Sequence, residues 1–338
     1  MRLRILITCA GGSLIPTLTK FLKKDTQLRN IFIVGLDKNK IKKNPNLDNF
    51  YIVNEKKEKN YLIKLIKICR QEKINLLIPY SDNEAKIISK NKFMFSKYRI
   101  KVLVNNFKTI KIITNKYLTY RILKKKGLFV PKFKLVKNFL DIKKALNYFG
   151  YPKFGVVLKP AESIGGRGVL ILKGRNNRGE NWIGSGAREK IFLSLNQLLS
   201  ENLFNNGPLI AMEILCSPAY DVDCFNHKKN KFTVIRKRIN PCGLPYKGNY
   251  ILKNKKIETY CRKIIKALNI KSLVDIDLLT TKKNNRPALL EINPRPSGSA
   301  AVSYFANLPI FSYAIATIMN RKYKIYSSNL KLSKKIRI

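Results

Sequence analysis

Histidine is nearly absent from this sequence, and cysteine motifs are absent altogether. The single histidine, His227, lies in the polar stretch 226–230, which argues against any mechanism built on histidine. The six cysteines form no Cys-x-x-Cys pair and show no zinc-site spacing. The sequence therefore predicts reduced thiols in a folded core and chemistry that does not use histidine.

A long hydrophobic segment is also missing. The apolar stretch 305–319 is interrupted by Pro309 and is shorter than the roughly 20 residues that a membrane span needs. The apolar run at the N-terminus is too short for a secretion signal and stops at Gly11 and Gly12. These features predict a cytoplasmic protein without a membrane span.

What the sequence has in excess is positive charge. Its 68 Lys and Arg residues outnumber 20 Asp and Glu residues, for a net charge of +48. Such a charge favours binding to nucleic acid or an anionic membrane surface. The basic residues are spread along the whole chain, however, so we interpret them as solvated faces and expect no specific nucleic-acid site. Length (338 residues) and hydrophobic content (45%) predict two or three globular domains.

The N-terminal third alternates apolar strands with helices. Buried-type strands at residues 3–8 and 31–36 flank a glycine turn and an amphipathic helix, and Asp37 ends the second strand. A helix at 61–73 and strands at 75–79 and 101–104 follow. This order predicts a Rossmann-like parallel sheet with helices on both faces, although the G-x-G-x-x-G fingerprint is absent. Asp82 and Glu84 follow a strand, where we expect them to cap the next helix rather than touch a substrate.

A helix with Thr114 as its N-cap and Gly127 at its end comes next. Lys116 lies in the first turn of that helix, where the helix dipole disfavours a cation. A bound anion nearby would explain this position, and a solvated lysine is the equal alternative.

A glycine-rich loop joins two strands within residues 154–172. The first strand carries Lys159, and Gly165, Gly166 and Gly168 follow it within a few residues. Glycines let backbone N–H groups approach phosphates closely, and Lys159 adds a point charge. The spacing is not that of a Walker A loop, and a plain glycine-tipped hairpin is the alternative.

The most informative stretch is a hairpin of two strands, at residues 273–279 and 288–292. Alternation places Asp275 and Asp277 on one face, and Glu291 and Asn293 share a face of the partner strand. Asp277, Glu291 and Asn293 then form a set of hard oxygen ligands that suits Mg²⁺, with Mn²⁺ as a substitute. Arg295 follows, where it would neutralise a phosphoryl oxygen or hold an anionic substrate. A hairpin with charged ends is the alternative.

Asp277 and the stretch Glu291-Ile-Asn293-Pro-Arg295-Pro-Ser-Gly298 resemble the metal-binding hairpin of ATP-grasp ligases, most closely their carbamoyl-phosphate synthase large-subunit-like branch. The resemblance implies an α/β fold, α+β in the nucleotide part. A Rossmann-like pre-ATP-grasp domain (1–108) would precede a two-subdomain ATP-grasp domain (109–320, lid about 131–212). A basic tail at 321–338 is predicted to be peripheral, residues 174–190 to be a polar insertion, and residues 191–203 to be a helix.

The resemblance also implies roles for individual residues. Lys116, Lys159 and the glycine loop, including Ser163, would bind the ATP phosphates. Glu213 and the backbone of Ile214, Leu215 and Cys216 would bind adenine. Arg238 and Arg295 would be catalytic.

One position departs from the family pattern. Ala219 stands where the family has a ribose-binding glutamate, and Asp221 is a candidate substitute.

The predicted function is an ATP-dependent carboxylate–amine ligase that works through an acyl-phosphate. Its partners would be Mg-ATP and small-molecule carboxylate and amine substrates, and a homodimer is compatible with the sequence. The alternatives are a carbamoyl-phosphate-synthase-like phosphorylating enzyme, an inactive nucleotide-binding sensor or scaffold, and a polyanion-binding protein.

Overall fold

The computed structural model describes residues 2–162, 168–177, 189–205, 207–239, 248–325 and 335–336. Within these residues the strands form three sheets, of five, five and six strands.

The N-terminal sheet is parallel throughout, in the order β3-β2-β1-β4-β5. Its strands are β1 (Arg4–Thr8), β2 (Phe32–Asp37), β3 (Asn49–Ile52), β4 (Leu76–Ile78) and β5 (Lys101–Val102). Its helices are α1 (Ile15–Lys24), α2 (Glu58–Gln71), α3 (Asp82–Lys90) and α4 (Lys92–Ser96). Along β1, Ile5 and Ile7 enter one apolar core and Leu6 enters the other. Cores on both faces explain why these strands are apolar without alternation.

Two helices lead out of this sheet, α5 (Phe107–Ile113) and α6 (Lys116–Lys125). The N-cap of α6 is Asn115, whose side chain accepts a hydrogen bond from the Leu118 backbone. The prediction of Thr114 as N-cap is therefore wrong by one residue. Thr114 is instead the C-cap of α5, and its hydroxyl donates to the Ile110 carbonyl.

The second sheet has the order β6-β10-β7-β8-β9. Its strands are β6 (Phe133–Val136), β7 (Val156–Pro160), β8 (Val169–Leu172), β9 (Glu189–Phe192) and β10 (Leu209–Glu213), with helices α7 (Phe139–Phe149) and α8 (Leu195–Leu199). The helix predicted over residues 191–203 is thus wrong. Residues 189–192 pair in parallel with β8, and a capping box of Ser194 and Gln197 starts a shorter helix only afterwards.

The third sheet is antiparallel, in the order β15-β14-β11-β12-β13-β16. Its strands are β11 (Cys216–His227), β12 (Asn230–Arg238), β13 (Asn249–Leu252), β14 (Val274–Thr280), β15 (Pro287–Asn293) and β16 (Lys335–Ile336). The helices here are α9 (Lys255–Ala267), a 3₁₀ segment (Ala300–Ala306) and α10 (Ile310–Ile318). The apolar side chains of α9 pack on one face of this sheet.

The C-terminal tail is not peripheral, contrary to the prediction. Strand β16 extends the third sheet beyond β13, and Ile336 is buried in the core under the N-terminal sheet. The Tyr323 hydroxyl donates to Asp25, and the Lys324 N–H donates to Gln27. The tail therefore connects the first sheet to the edge of the third.

Among the described residues, no single helix is long and apolar enough to cross a membrane. The 3₁₀ segment and α10 pass such a test only as a pair, and they are bent by 107° at the break between them.

Candidate active site

The third sheet has one apolar face and one ionic face. Val222, Ile276 and Ile292 point into the core against α9. Because side chains alternate along a strand, their neighbours point the other way. The ionic face carries Asp221, Asp223, Arg236, Arg238, Asp275, Asp277, Glu291 and Asn293.

The register of β14 and β15 sets the order of the ligand-type residues on this face. Asp277 is paired with Glu291, and Asp275 is paired with Asn293. The Asn293 amide Nδ2 donates to Asp275 Oδ2 at 3.2 Å. The three residues predicted to bind metal are thus adjacent on one hairpin, with Asp275 as an additional neighbour.

Asp221, for which a ribose-binding role was predicted, lies beside the hairpin of β14 and β15. It is opposite Asp277 on the next strand, and oxygens of Asp221, Asp275 and Asp277 all lie within 4.8 Å of one another. Both oxygens of Asp221 accept bonds from Arg238, at 2.6–3.2 Å. Asp221 thus belongs to this acidic cluster and is paired with Arg238, and its ribose-binding role stays a prediction.

The acidic cluster of Asp221, Asp275 and Asp277 is buried, which decides its electrostatics. Burial opposes the ionisation of Asp221, but the Arg238 guanidinium outweighs burial and lowers the pKa of Asp221. Burial, with the charge of Asp275 added, raises the pKa of Asp277 well above its usual range. Burial also raises the pKa of Asp275, to about 7, with Asp221 and Asp223 adding to the effect. A nearby cation would relieve this crowding of negative charge.

The residues fit a hard divalent cation. Asp277 Oδ1 is buried and accepts no hydrogen bond from the residues that the structure describes, and its nearest cation is Arg238 Nη2 at 3.5 Å. Carboxylate and amide oxygens are the donors that Mg²⁺ prefers. Asp277, Glu291 and Asn293 offer such a set on one hairpin.

Two lysines reach the same hairpin from different elements. Lys116, at the start of α6, places its Nζ 3.1 Å from Glu291 Oε2. Lys159, on β7 of the second sheet, donates from Nζ to the Leu290 carbonyl at 3.1 Å. Both side chains are buried, at 5% and 2% exposure. The two lysines predicted to bind phosphate therefore converge beside the predicted metal ligands.

Burial of these two lysines shifts the pKa values around them. Burial, assisted by the nearby charge of Lys116, lowers the pKa of Lys159 to about 7. Burial works against ionised Glu291, yet Lys116 and Lys159 outweigh it and hold the pKa of Glu291 below its usual range. Lys159 is therefore a cationic site that lacks a full counter-charge, as expected where an anion is to be bound.

Arg295 connects the hairpin to the N-terminal sheet. Its Nε lies 3.0 Å from Asp82 Oδ1, and its Nη1 lies 3.9 Å from Asp275 Oδ2. The cap of α3 is Ser81, so the capping role expected for Asp82 is wrong. Glu84 accepts hydrogen bonds from the hydroxyls of Ser81, Thr8 and Tyr61.

Sequence reasoning missed a second group of buried charges, which lies on the same ionic face beside the acidic cluster. Arg236 is fully buried and donates from Nε to Asp223 Oδ2 at 3.0 Å. Its Nη2 lies 3.7 Å from Asp275 Oδ1, and its Nη1 bonds the Ser299 hydroxyl. The alternation of Asp221 with Asp223, and of Arg236 with Arg238, was the signal that could have revealed this pairing.

The glycine loop is described only at its ends. Gly168 has a positive φ of 75°, and a Cβ there would lie 3.1 Å from Pro160, so both conformation and space favour glycine. Before the loop, Glu162 accepts a hydrogen bond from the Asn115 amide at 3.0 Å. Ser163, Gly165 and Gly166 lie outside the described residues.

The predicted adenine segment, residues 213–216, joins the end of β10 in the second sheet to the start of β11 in the third. The Glu213 carboxylate accepts from the Lys132 backbone N–H at 2.7 Å, so this side chain fixes the start of β6. Leu215 is buried against Met212 and Ala288, whereas Ile214 and Cys216 are half-buried. Ala219 is buried within β11 and offers no carboxylate.

Family comparisons divide the chain into three parts. Residues 5–103 match "PylC-like, N-terminal domain", residues 96–190 match "Sugar-transfer associated ATP-grasp", and residues 205–336 match "ATP-grasp in the biosynthetic pathway with Ter operon".

Solved structures match over nearly the whole length of the chain. N5-carboxyaminoimidazole synthetase from Staphylococcus aureus, complexed with ADP, has 16% identity and a TM-score of 0.67, covering 99% of this chain and 82% of its own. Biotin carboxylase from Campylobacter jejuni, in a β-γ-ATP complex, has 16% identity and a TM-score of 0.69, covering 97% and 73%. L-amino acid ligase from Bacillus licheniformis has 14% identity and a TM-score of 0.63, covering 93% and 74%.

The two ATP-grasp matches and the shared architecture show that this chain has an ATP-grasp fold. The predicted fold class is confirmed: a Rossmann-like parallel sheet precedes a two-part ATP-grasp fold. At this level of identity the solved structures establish the fold alone, and the carbamoyl-phosphate synthase branch stays a prediction.

Proposed function

We propose that this chain is an ATP-dependent ligase that joins a carboxylate to an amine through an acyl-phosphate. The observation that carries the proposal is the convergence of Lys116 and Lys159 on the hairpin that bears Glu291. In this proposal the Rossmann-like domain spans residues 1–108, the ATP-grasp domain spans 109–320 with a lid at about 131–212, and the tail begins at 321. Mg-ATP would bind between the second and third sheets.

The charges at this site support an anionic ligand. Lys159 is buried, with a pKa lowered to about 7, and the nearest carboxylate, Glu291, is already paired with Lys116. A triphosphate would supply the negative charge that keeps Lys159 protonated. Several of the similar solved proteins are complexes with ADP or with β-γ-ATP, which supports an adenine nucleotide as the ligand.

Asp277, Glu291 and Asn293 would hold the divalent cation, which would be Mg²⁺ or Mn²⁺. Bound there, the cation supplies neutralisation of phosphate charge. The remaining contributions come from the chain itself. Lys116 and Lys159 would orient the phosphates, Arg238 would keep Asp221 and Asp277 in place, and Arg295 would face the γ-phosphoryl group and the carboxylate substrate.

The reaction needs positioning more than proton transfer. The substrate carboxylate oxygen attacks the γ-phosphorus, the bond to the bridging oxygen breaks, and ADP leaves. The amine nitrogen then attacks the acyl carbon, the carbon–oxygen bond to phosphate breaks, and the amine proton passes to solvent. Cationic side chains that neutralise phosphoryl charge suffice for both steps, which agrees with a sequence that has only one histidine.

The test is Mg²⁺-dependent release of ADP and phosphate over a panel of amino acids and small carboxylates. We expect one carboxylate to stimulate release and Glu291→Gln to abolish the stimulation. Glu258→Gln is the matched control, because Glu258 is paired with Arg262 on the surface of α9. Stimulation that survives in Glu291→Gln would contradict the proposed site.

A nucleotide-binding sensor is the second candidate, and Ala219 is the observation that favours it. Ala219 offers no carboxylate for the ribose, and the Asp221 carboxylate is paired with Arg238. A sensor would bind Mg-ATP without turnover for any carboxylate and amine pair. A carbamoyl-phosphate-synthase-like enzyme would instead release a product that keeps the transferred phosphate as a mixed anhydride. The cytoplasmic location and the homodimer remain part of the proposal on sequence grounds.

A further inference from the structure

Asp275 is at the centre of the ionic face, although sequence reasoning gave it no role. Its Oδ2 accepts a hydrogen bond from Asn293 Nδ2 at 3.2 Å and lies 3.9 Å from Arg295 Nη1. Its Oδ1 lies 3.7 Å from Arg236 Nη2. One carboxylate thus contacts a predicted metal ligand, a predicted catalytic arginine and a buried structural arginine.

The contact with Asn293 determines which way its amide points. An asparagine side chain has one acceptor, Oδ1, and two N–H donors on Nδ2, and an ionised carboxylate only accepts. The Asp275 carboxylate therefore selects the orientation with Nδ2 toward it and Oδ1 turned away. Oδ1 is the only atom of the amide suited to binding a cation.

Asp275 is itself held from the other side. Arg236 is fully buried between Asp223 and Asp275, and Ser299, just beyond the hairpin, bonds its guanidinium. Breaking a buried ion pair of this kind leaves an uncompensated charge, which is costly. Arg236 and Asp275 therefore stay in contact. The order of contacts runs from Ser299 and Asp223 through Arg236 and Asp275 to Asn293.

We propose that Asp275 is a positioning residue, which orients Asn293 toward the cation and Arg295 toward the substrate, with Arg236 fixing Asp275. This inference rests on the proposed metal role of Asn293. Its rival is that Asp275 is a metal ligand, because its carboxylate lies within 4.8 Å of Asp221 and Asp277. Residues that orient a ligand through a hydrogen bond typically change metal affinity about 10–100-fold when removed.

An exchange of the two side chains separates the two roles. Asn293→Asp removes the amide donor and sets two carboxylates against each other. The exchange variant, Asp275→Asn with Asn293→Asp, restores a donor and an acceptor in reversed order. The readout is the Mn²⁺ dissociation constant, measured by electron paramagnetic resonance at pH 8 with β,γ-methylene-ATP present.

If Asp275 positions Asn293, Asn293→Asp weakens Mn²⁺ binding about 10–100-fold, and the exchange variant recovers most of that loss. If Asp275 is a ligand, the order reverses: Asn293→Asp adds charge and binds Mn²⁺ more tightly, and the exchange variant binds less tightly than Asn293→Asp. The reversed order would overturn the inference. Asp48→Asn, on the surface beside Lys23, is the control and should bind as wild type.

A second comparison keeps the inference testable if the exchange variant does not fold, as judged by thermal unfolding. In an Asn293→Ala background, Asp275→Asn should cause no further loss of Mn²⁺ affinity, because its route through Asn293 is already gone. A further tenfold loss would assign Asp275 as a ligand. If wild type binds no Mn²⁺ with the nucleotide, the proposed function fails too, whereas a reversed order in binding variants overturns the positioning role alone.

Discussion

At the scale of single residues, the site is built around the scarcer sign of charge in the sequence. Of the 20 acidic residues, six lie on the ionic face or against it: Asp82, Asp221, Asp223, Asp275, Asp277 and Glu291. Each is within 4.0 Å of an arginine or lysine nitrogen. A buried carboxylate is tolerated only with such partners. The negative and positive side chains on this face therefore balance each other, unlike those of the chain as a whole.

Alternation along single strands predicted part of this arrangement. It placed Asp277 and Glu291 on facing strands, and the register pairs them. It could not reveal the contact of Arg295 with Asp82, because that contact joins separate parts of the fold and depends on how the sheets meet. The contact of Asp221 with Arg238 was missed for a similar reason, because it depends on the pairing of β11 with β12.

Lys159 leads to a prediction about protons. With a pKa of about 7, roughly nine tenths of Lys159 is neutral at pH 8. A bound triphosphate raises that pKa, so nucleotide binding should take up close to one proton at pH 8 and almost none at pH 6, where the lysine is already charged. Calorimetry of metal-free β,γ-methylene-ATP binding in buffers of different ionisation enthalpy measures this uptake.

The control for proton uptake is Lys159→Arg, whose guanidinium is charged at both pH values. The uptake at pH 8 should disappear in that variant. Equal uptake in Lys159→Arg and wild type would assign the proton to another group and contradict the role of Lys159.

At the scale of elements, local signals succeeded where a strand or helix carries its own pattern. Strands β14 and β15 alternate over residues 274–277 and 291–293, and their bounds lie within one residue of the predicted ones. The helix predicted over residues 191–203 is wrong at its start. Ile191, Leu195 and Leu198 repeat at helical spacing, and this spacing misled the prediction. Pairing of β9 with β8, which no local pattern encodes, prevailed for the first of these residues.

The cap of α6 gives a prediction at this scale. Asn115 caps the helix that begins at Lys116 and also bonds Glu162 at the entry to the glycine loop. Asn115→Ala should cost about 1 kcal/mol of unfolding free energy. It should also weaken ATP binding, because Lys116 and the loop entry both lose their anchor.

The matched control is Asn138→Ala, which removes the equivalent N-cap of α7, away from the lysines. Both variants should lower the unfolding free energy by a similar amount, and only Asn115→Ala should change the ATP dissociation constant. Denaturant unfolding and nucleotide titration measure the two effects. An equal loss of ATP affinity in both variants would show that the effect is global.

At the scale of the whole molecule, the site exists where three sheets meet. Lys159 comes from the second sheet, Glu291 from the third, and Asp82 from the end of the first. The alternation of strands and helices predicted the Rossmann-like sheet, whereas the two-part ATP-grasp fold was predicted through the resemblance of the hairpin residues. The sequence did not predict the tail, since a two-residue strand has no pattern of its own and depends on the exposed edge of β13.

The tail gives a prediction about the stability of the whole chain. Ile336 is 5% exposed and packs in the core that the N-terminal sheet shares with α10. Ile336→Ala should lower the unfolding free energy by about 2–5 kcal/mol, because it removes buried apolar volume. Ile52→Ala is the control, since Ile52 is 56% exposed on β3 and should change little. Similar midpoints of thermal unfolding for Ile336→Ala and wild type would contradict the packing of the tail in this core.

The measurement that tests the central claim most directly is equilibrium binding of Mg-β,γ-methylene-ATP to wild type, Lys159→Met and Lys190→Met. Lys190 is the matched control, because it lies on the same sheet as Lys159 but is exposed and paired with Glu201. The account predicts saturable binding to wild type and Lys190→Met, and affinity at least about tenfold lower in Lys159→Met, the equivalent of about 1.4 kcal/mol. Absence of binding to wild type, or equal binding to Lys159→Met, would contradict it.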